Sequence, residues 1–509
     1  MKGRKIKSIW AFLASVGSST VLQLVGLVIT PFYLELTSQE LFGLWLTLGS
    51  LVGWISLGDL GIGMALTRRA VSAIDKSDYL ELKKLTYGAM LSFIVIGFFF
   101  FICGIYLTDT LVSLFTISQS LAADFRATYF ILLIVILIGQ PLGVFDSIIE
   151  AKQHIAFQKI NNTIFAFLAI IINILLLYVG YGIISFSISI LITTLIKPIV
   201  SIYYLKRIDK KIEFYPFSTS MRQIKELFKF GGLFQILKIA NLISTSTDNI
   251  VIASILGASF VSIYVFTSKI AFIIAVGLIS IIPIILFPGM SQLFDIGDIF
   301  KIRNIYFGLV KIAIRLGISV GIFYYTVNET FIHLWVGDSN FGGNMLTFVF
   351  VIWIIIESFL RGITSILYAS TKIRGLSIIS IIESVLNLAI SLFLVKYYGL
   401  VGVALGTVFS RLITLIYVPL KINKLLKVNS IYFLNKIVGQ TIINCIPTIL
   451  ILLTADFFLI ANLTSIWFIL IMGVLTFFIN ILLFEGIFIF KQKNKSFKKR
   501  ILMLKSYYT

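Results

Sequence analysis

Seven ionisable side chains stand in or beside stretches that otherwise carry almost no charge: Asp59, Lys238, Asp248, Lys269, Arg315, Arg361 and Arg411. A charge held at the centre of a bilayer costs about 2.5–3.5 kcal/mol on insertion scales, so each needs a partner or a task. Spacing supplies some partners. Glu357 and Arg361 are four residues apart and can pair on one helix face. Glu383 and Arg411 fall at similar depths in successive apolar runs, and so do Asp248 and Lys269, which makes both couples candidate ion pairs. Lys197, Lys238 and Arg315 have no evident anionic mate, whereas Arg126 has its neighbour Asp124. Unpaired cations in a low-dielectric cleft attract anions strongly, so these residues are candidate contacts for an anionic cargo. The acids could carry coupling to a proton or sodium gradient. Asp248 lies in Ser244-Thr-Ser-Thr-Asp-Asn249, which offers oxygen ligands for a cation and equally suits interhelical hydrogen bonding. Asp59 sits beside Gly58, Gly61 and Gly63, where capping or packing is the plainer role.

The elements that hold these groups are helices in a membrane. Of 509 residues, 59% are hydrophobic and 13% charged, against roughly 25% charged in a soluble domain. Apolar runs reach about 20 residues or more, the length a helix needs to cross the hydrocarbon. Every backbone polar group must be paired within lipid, which leaves helices or a closed barrel. Leu132–Ile138 and Ile442–Leu453 lack the period-two alternation of barrel strands. The expected spans are 9–34, 41–66, 85–107, 121–150, 160–179, 183–205, 230–256, 260–290, 305–327, 344–370, 376–396, 401–420, 437–459 and 465–490, about fourteen in all. Pro141, Pro198, Pro283 and Pro288 interrupt spans four, six and eight and are candidate bend points.

The net charge of +20 would suggest nucleic acid in a soluble chain, but here it sorts by side. One set of loops carries Arg4, Lys7, Arg68, Arg69, Lys152, Lys206, Arg207, Lys301, Arg374 and Lys424 among others, with a basic tail from Lys491 to Lys505. The alternate set carries only Lys396. Positive loops stay in the cytoplasm, so both termini are expected there and no nucleic-acid partner is implied. Membrane lipids are partners, and the basic tail could meet anionic headgroups. Cys103 and Cys445 lie far apart within apolar runs and read as small core residues, not as a disulfide or a metal site.

Three segment pairs repeat at one offset. Ser147–Ile155 resembles Ser365–Ile373, Leu36–Trp45 resembles Leu256–Tyr264, and Gly182 matches Gly402, each about 220 residues on. Six spans per repeat give parallel repeats. The expected organisation is an all-α membrane protein with spans 1–6 at 1–205, a linker at 206–229, and spans 7–12 at 230–427. Two further spans lie at 428–490, followed by a tail at 491–509.

With that organisation, the segment Leu57-Gly-Asp-Leu-Gly-Ile-Gly-Met-Ala-Leu-Thr-Arg-Arg69 closing span two resembles a known group. This is the polysaccharide-transporter, O-antigen (Wzx-type) flippase branch of the multidrug/oligosaccharidyl-lipid/polysaccharide exporter superfamily. The resemblance covers essentially the whole chain and implies a MATE-like pair of six-helix lobes plus two extra helices. It implies a bacterial inner-membrane carrier that flips an undecaprenyl-diphosphate-linked oligosaccharide to the outer leaflet by alternating access, with polysaccharide assembly proteins as possible associates. In that superfamily spans 1, 2, 7 and 8 line the central cavity. Lys238 and Lys269 are therefore the first expected diphosphate contacts, followed by Arg315, Arg361 and Arg411. Spans 13 and 14 would border a path for the lipid tail.

Three other classes compete. A multidrug exporter usually takes cationic cargo, which the cationic excess opposes. A polysaccharide polymerase or glycosyltransferase needs an outer loop rich in carboxylates or in Arg and His. The outer loops here are short, with Glu35, Glu40, Asp109, Glu329, His333 and Asp338 scattered among them. A Gly-rich phosphate loop with Lys is also missing, so no enzyme is expected. A scaffold for an assembly complex would not require buried cations.

Overall fold

Leu-, Ile- and Phe-rich runs with all backbone groups paired internally produce a body made of helices. The computed structural model describes residues 2–55, 59–115, 117–212, 219–279, 281–370, 374–443 and 445–446. Among them there is no strand. The helices are α1 (Lys2–Leu36), α2 (Gln39–Ile55), α3 (Ile62–Asp75), α4 (Tyr79–Leu114), α5 (Gln119–Leu142), α6 (Val144–Ala151) and α7 (Ile155–Tyr178). They continue with α8 (Ile184–Ile208), α9 (Met221–Ile255), α10 (Ala258–Phe272), α11 (Ile281–Ile296), α12 (Ile299–Val336), α13 (Asn344–Ala369) and α14 (Arg374–Leu425). Nine stretches among the described residues are long and apolar enough to cross a membrane. The chain is a multi-pass membrane protein. Most of the thirteenth expected span, all of the fourteenth and the basic tail lie outside the described residues.

Spans one, three, five, six, seven, nine and ten each coincide with a single helix. The second is not one span. Its helix α2 ends at Ile55, and Leu60 and Gly61 turn the chain at φ 45° and 76° before α3 begins. Asp59 Oδ1 accepts the Gly63 N–H at 3.0 Å, which satisfies one of the free amides at the start of α3. α3 is amphipathic and less apolar than α2. It buries Ile62, Leu66 and Ala70 against Leu82 and Leu85 of α4 and Ile148 and Ile149 of α6, while Arg68 and Arg69 lie on other faces.

The fourth expected span also breaks, into α5 and α6 at Gly143, just after Pro141. The eighth passes through a π-helical turn, Ile273–Leu278, ahead of α11. Pro283 stands in the first turn of α11, where its missing N–H costs no intrahelical bond. Pro198 sits inside α8 without ending it. α14 carries the eleventh and twelfth expected spans, separated by Gly399 at φ 55° and ψ −133°, a conformation open to glycine.

The chain forms two compact units. The first comprises Met1–Phe266 and Lys372–Tyr417, and the second comprises Thr267–Thr371 and Val418–Thr509. In the first, α1 packs on α7, α7 and α5 on α8, and α2, α3 and α4 all meet α9. The side of this unit that carries the basic loops is tied by polar contacts. Arg69 pairs with Glu226 of α9, Gln223 Nε2 donates to Glu81 at 3.0 Å, and Thr219 Oγ1 donates to the Lys84 carbonyl at 2.9 Å. Beside them Lys152 pairs with Asp209, which also accepts the Tyr79 hydroxyl at 2.9 Å. Burial raises the Asp209 carboxyl, but Lys152, the Lys211 N–H and Tyr79 outweigh it and hold the group below the usual carboxylate range. Its contribution to stability is therefore present above the ordinary carboxylate pKa and is lost as pH falls through the lowered value.

The second unit is built on α12 against α13, with α11 packed on both. Gly317 lets α12 come close: a Cβ there would lie 3.2 Å from Ile355 Cα. A buried polar layer joins the two helices to the start of the unit. Tyr324 donates its hydroxyl to the Thr267 carbonyl at 2.6 Å, and Asn328 Nδ2 donates to the same carbonyl and to Thr347 Oγ1, each at 3.2 Å.

Candidate functional site

Every polar group buried in lipid must be satisfied by a neighbour, so the pattern of partners separates structural charges from available ones. Arg361 and Glu357, one turn apart on α13, form the expected pair at 2.6 Å, with the Glu357 side chain 2% exposed. Arg411 and Glu383, both on α14 but on either side of the Gly399 bend, also pair as expected. Thr414 adds its hydroxyl to the second Glu383 oxygen. These two arginines are neutralised where they stand.

Two expectations drawn from depth and adjacency do not hold. Lys197 has a mate: its ammonium lies 2.8 Å from Asp146 Oδ2, and Ser201 donates to Asp146 Oδ1 at 3.1 Å. Arg126 pairs with Asp109 at 3.0 Å rather than with Asp124. In both cases the partner lies on another helix. α6 carries Asp146 toward α8, and α4 brings Asp109 beside α5. Sequence spacing has no signal for such contacts, because they depend on how each helix is rotated.

Asp248, 7% exposed, is at the centre of a polar cluster in the first unit. Within that unit two hydroxyls hold its Oδ2: Tyr264 donates at 2.9 Å and Thr407 at 3.1 Å. Asn387 Nδ2 in turn donates to Thr407 Oγ1 at 2.9 Å, and the neighbouring Asn249 donates to Ser50 Oγ at 3.0 Å. Asp248 Oδ1 and Asn387 Oδ1 are buried and accept no protein hydrogen bond. The arrangement is a carboxylate met by hydroxyls in place of an ammonium, with two oxygens of one network still free to accept. Such a group can take a proton or share a small cation. The sequence singled out Asp248 but not Tyr264, Asn387 or Thr407, since Thr407 is 159 residues away.

The remaining cations are divided between the units. Lys238 lies on α9 in the first unit, and its side chain is outside the description. Lys269 on α10 and Arg315 on α12 belong to the second unit, and both are half-buried. Asp59 is engaged in capping α3.

Residues 7–294 match the family described as Polysaccharide biosynthesis protein, a match across more than half of the chain. Over 374 residues the chain is 24% identical to a Shigella flexneri protein named "Putative O-antigen transporter", covering 72% of this chain and 86% of that one. Two solved structures share the fold. A lipid II flippase, MurJ, in an inward closed conformation aligns with a TM-score of 0.67 at 16% identity, covering 96% of this chain and all of that one. A multidrug resistance MATE family transporter in an outward-facing conformation aligns with a TM-score of 0.60 at 16% identity, over 83% of this chain and 96% of that one. The fold is thus a MATE- and MurJ-like helical membrane fold, and the MATE-like architecture is the one the resemblance implied. The match over residues 7–294 shows the family: this chain belongs to the polysaccharide biosynthesis protein family.

Proposed function

We propose that this protein is a flippase, not an enzyme, which moves a lipid-linked oligosaccharide from the inner to the outer leaflet of a bacterial inner membrane by alternating access. The cargo in this reading is an undecaprenyl-diphosphate-linked repeat unit of O-antigen, capsule or a similar polymer. Both termini face the cytoplasm, as the loop charges favour. The observation that carries the proposal is the union of polysaccharide-family membership with a fold shared by a lipid II flippase. A multidrug exporter shares that fold too, but the polysaccharide-family match over residues 7–294 favours the lipid-linked cargo.

Lys238 and Lys269 serve as the diphosphate contacts in this reading, because the two clearest alternatives, Arg361 and Arg411, already have carboxylate partners. Asp248 takes the coupling role for a proton or sodium ion, and Asp59 the structural one. Other polysaccharide assembly proteins would act on the cargo before and after it crosses.

Deleting the gene tests the function. Lipid-linked oligosaccharide should accumulate on the inner leaflet while surface polymer is lost. Single repeat units on the surface would indicate a polymerase instead, and unchanged surface polymer would end the flippase reading. Within the site, Lys238→Ala with Lys269→Ala should lower complementation on the order of 100-fold at normal protein level. Full surface polymer in that double variant would remove the diphosphate assignment.

A further inference from the structure

A cavity of about 620 Å³ lies in the first unit between α5, α7 and α8, apart from the Asp248 cluster. Its walls include Phe165 and Ala166, and six polar side chains reach it: Gln140, Asp146, Asn162, Thr193, Thr194 and Lys197. The volume is that of small-molecule sites, about 300–1,000 Å³. Gly139 of α5 and Gly143, at the junction of α5 and α6, keep backbone at the cavity surface. Room there is limited, since a Cβ on Gly139 would lie 3.1 Å from Thr194 Cγ2.

Charge and hydrogen-bond capacity narrow the occupant. Lys197 and Asp146 neutralise each other at 2.8 Å, so neither a free anion nor a free cation meets an uncompensated opposite charge. Gln140 Oε1 and Asn162 Oδ1 are buried and accept no protein hydrogen bond. Such oxygens need O–H or N–H donors. An ionised diphosphate has none, and a hydrocarbon tail has none. Sugar hydroxyls both donate and accept, and they match a set of amides, a carboxylate, an ammonium and threonine hydroxyls. Phe165 offers an apolar surface for a ring face.

We propose that this cavity holds sugar rings of the cargo: a saccharide-recognition site within one unit, separate from the groups that meet the diphosphate. Gln140 and Asn162 accept from ring hydroxyls, and the Lys197–Asp146 pair donates to and accepts from others. The proposal rests on the flippase reading for where the saccharide comes from, and binding can be measured without transport.

The experiment uses full-length protein in nanodiscs with Cys103→Ala, Cys445→Ala and the reporter Ala166→Cys. The probes are the oligosaccharide pool released by mild acid from the lipid fraction of the producing cells, and inorganic diphosphate. The oligosaccharides should slow maleimide alkylation of the reporter about fivefold or more, and diphosphate should not. Adding Gln140→Leu and Asn162→Leu should raise the oligosaccharide concentration needed about tenfold, as expected for two lost hydrogen bonds. A conservative pair, Gln140→Glu and Asn162→Asp, keeps the acceptors and should retain protection, which controls for a damaged fold. Protection by diphosphate alone, no protection by the oligosaccharides, or equal protection in the leucine variant would overturn the assignment. Loss of surface polymer on gene deletion together with any of those results would leave the flippase reading intact and remove only this site. Protection with unchanged surface polymer would do the reverse.

Discussion

Glu383→Ala is expected to cost the folded protein about 3 kcal/mol or more, read as a lower thermal unfolding midpoint in detergent and less monodisperse protein. The Glu383 side chain is 3% exposed and answers both the Arg411 guanidinium and the Thr414 hydroxyl. Removing it takes away the buried carboxylate that the Arg411 guanidinium faces on α14, in a medium that solvates the cation poorly. The loss comes from that poorly solvated charge more than from the bond itself, because a buried pair roughly offsets its own desolvation. Removing both charges should therefore rescue stability: Glu383→Met with Arg411→Leu is expected near the parent midpoint. If the double variant is as unstable as Glu383→Ala, volume and not charge governs this site. Rescue with transport retained would also show that Arg411 makes no contact with cargo.

Asp248→Asn should have the opposite profile, a normal unfolding midpoint with transport reduced on the order of 100-fold, or about 2.7 kcal/mol in the rate-limiting barrier. Asparagine preserves size and can still accept from Tyr264 and Thr407, so the cluster should stay packed. It cannot bind or release a proton, and it has no charge to hold a cation. The measurement is flipping in proteoliposomes under an imposed sodium gradient and, separately, an imposed pH gradient. The parent protein should respond to one of the two, and the variant to neither. A variant that keeps the full gradient response would exclude Asp248 from coupling and reduce the cluster to interhelical packing.

The resemblance noted at Leu57–Arg69 anticipated the family, yet the same segment shows a limit of reading spans from hydropathy. Apolarity suggested one span over 41–66, whereas the structure ends α2 at Ile55 and starts an amphipathic helix at Ile62. Leu60 and Gly61 at positive φ make the break, and Asp59 caps the start of α3. Glycines near an acid hinted at the turn. The partner surface of α3 on α4 and α6 could not be seen without the fold.

By itself, the sequence determined that the chain is helical and membrane-spanning, because lipid leaves a run of about 20 apolar residues few other ways to pair its backbone. It determined local contacts such as Glu357 with Arg361, since helix geometry alone brings residues four apart together. Its prolines marked candidate bend points, and of these α5 ends one residue after Pro141, a π-helical turn precedes Pro283, and Pro198 sits inside an unbroken α8. Only the tertiary structure decided that Lys197 meets Asp146, that Arg126 meets Asp109, and that Asp248 is held by Tyr264 and Thr407. The physical reason is rotational. A soluble helix reveals its inward face by its apolar stripe. A membrane helix is apolar toward lipid and neighbour alike, so sequence shows how deep a charge lies but not which helix it faces.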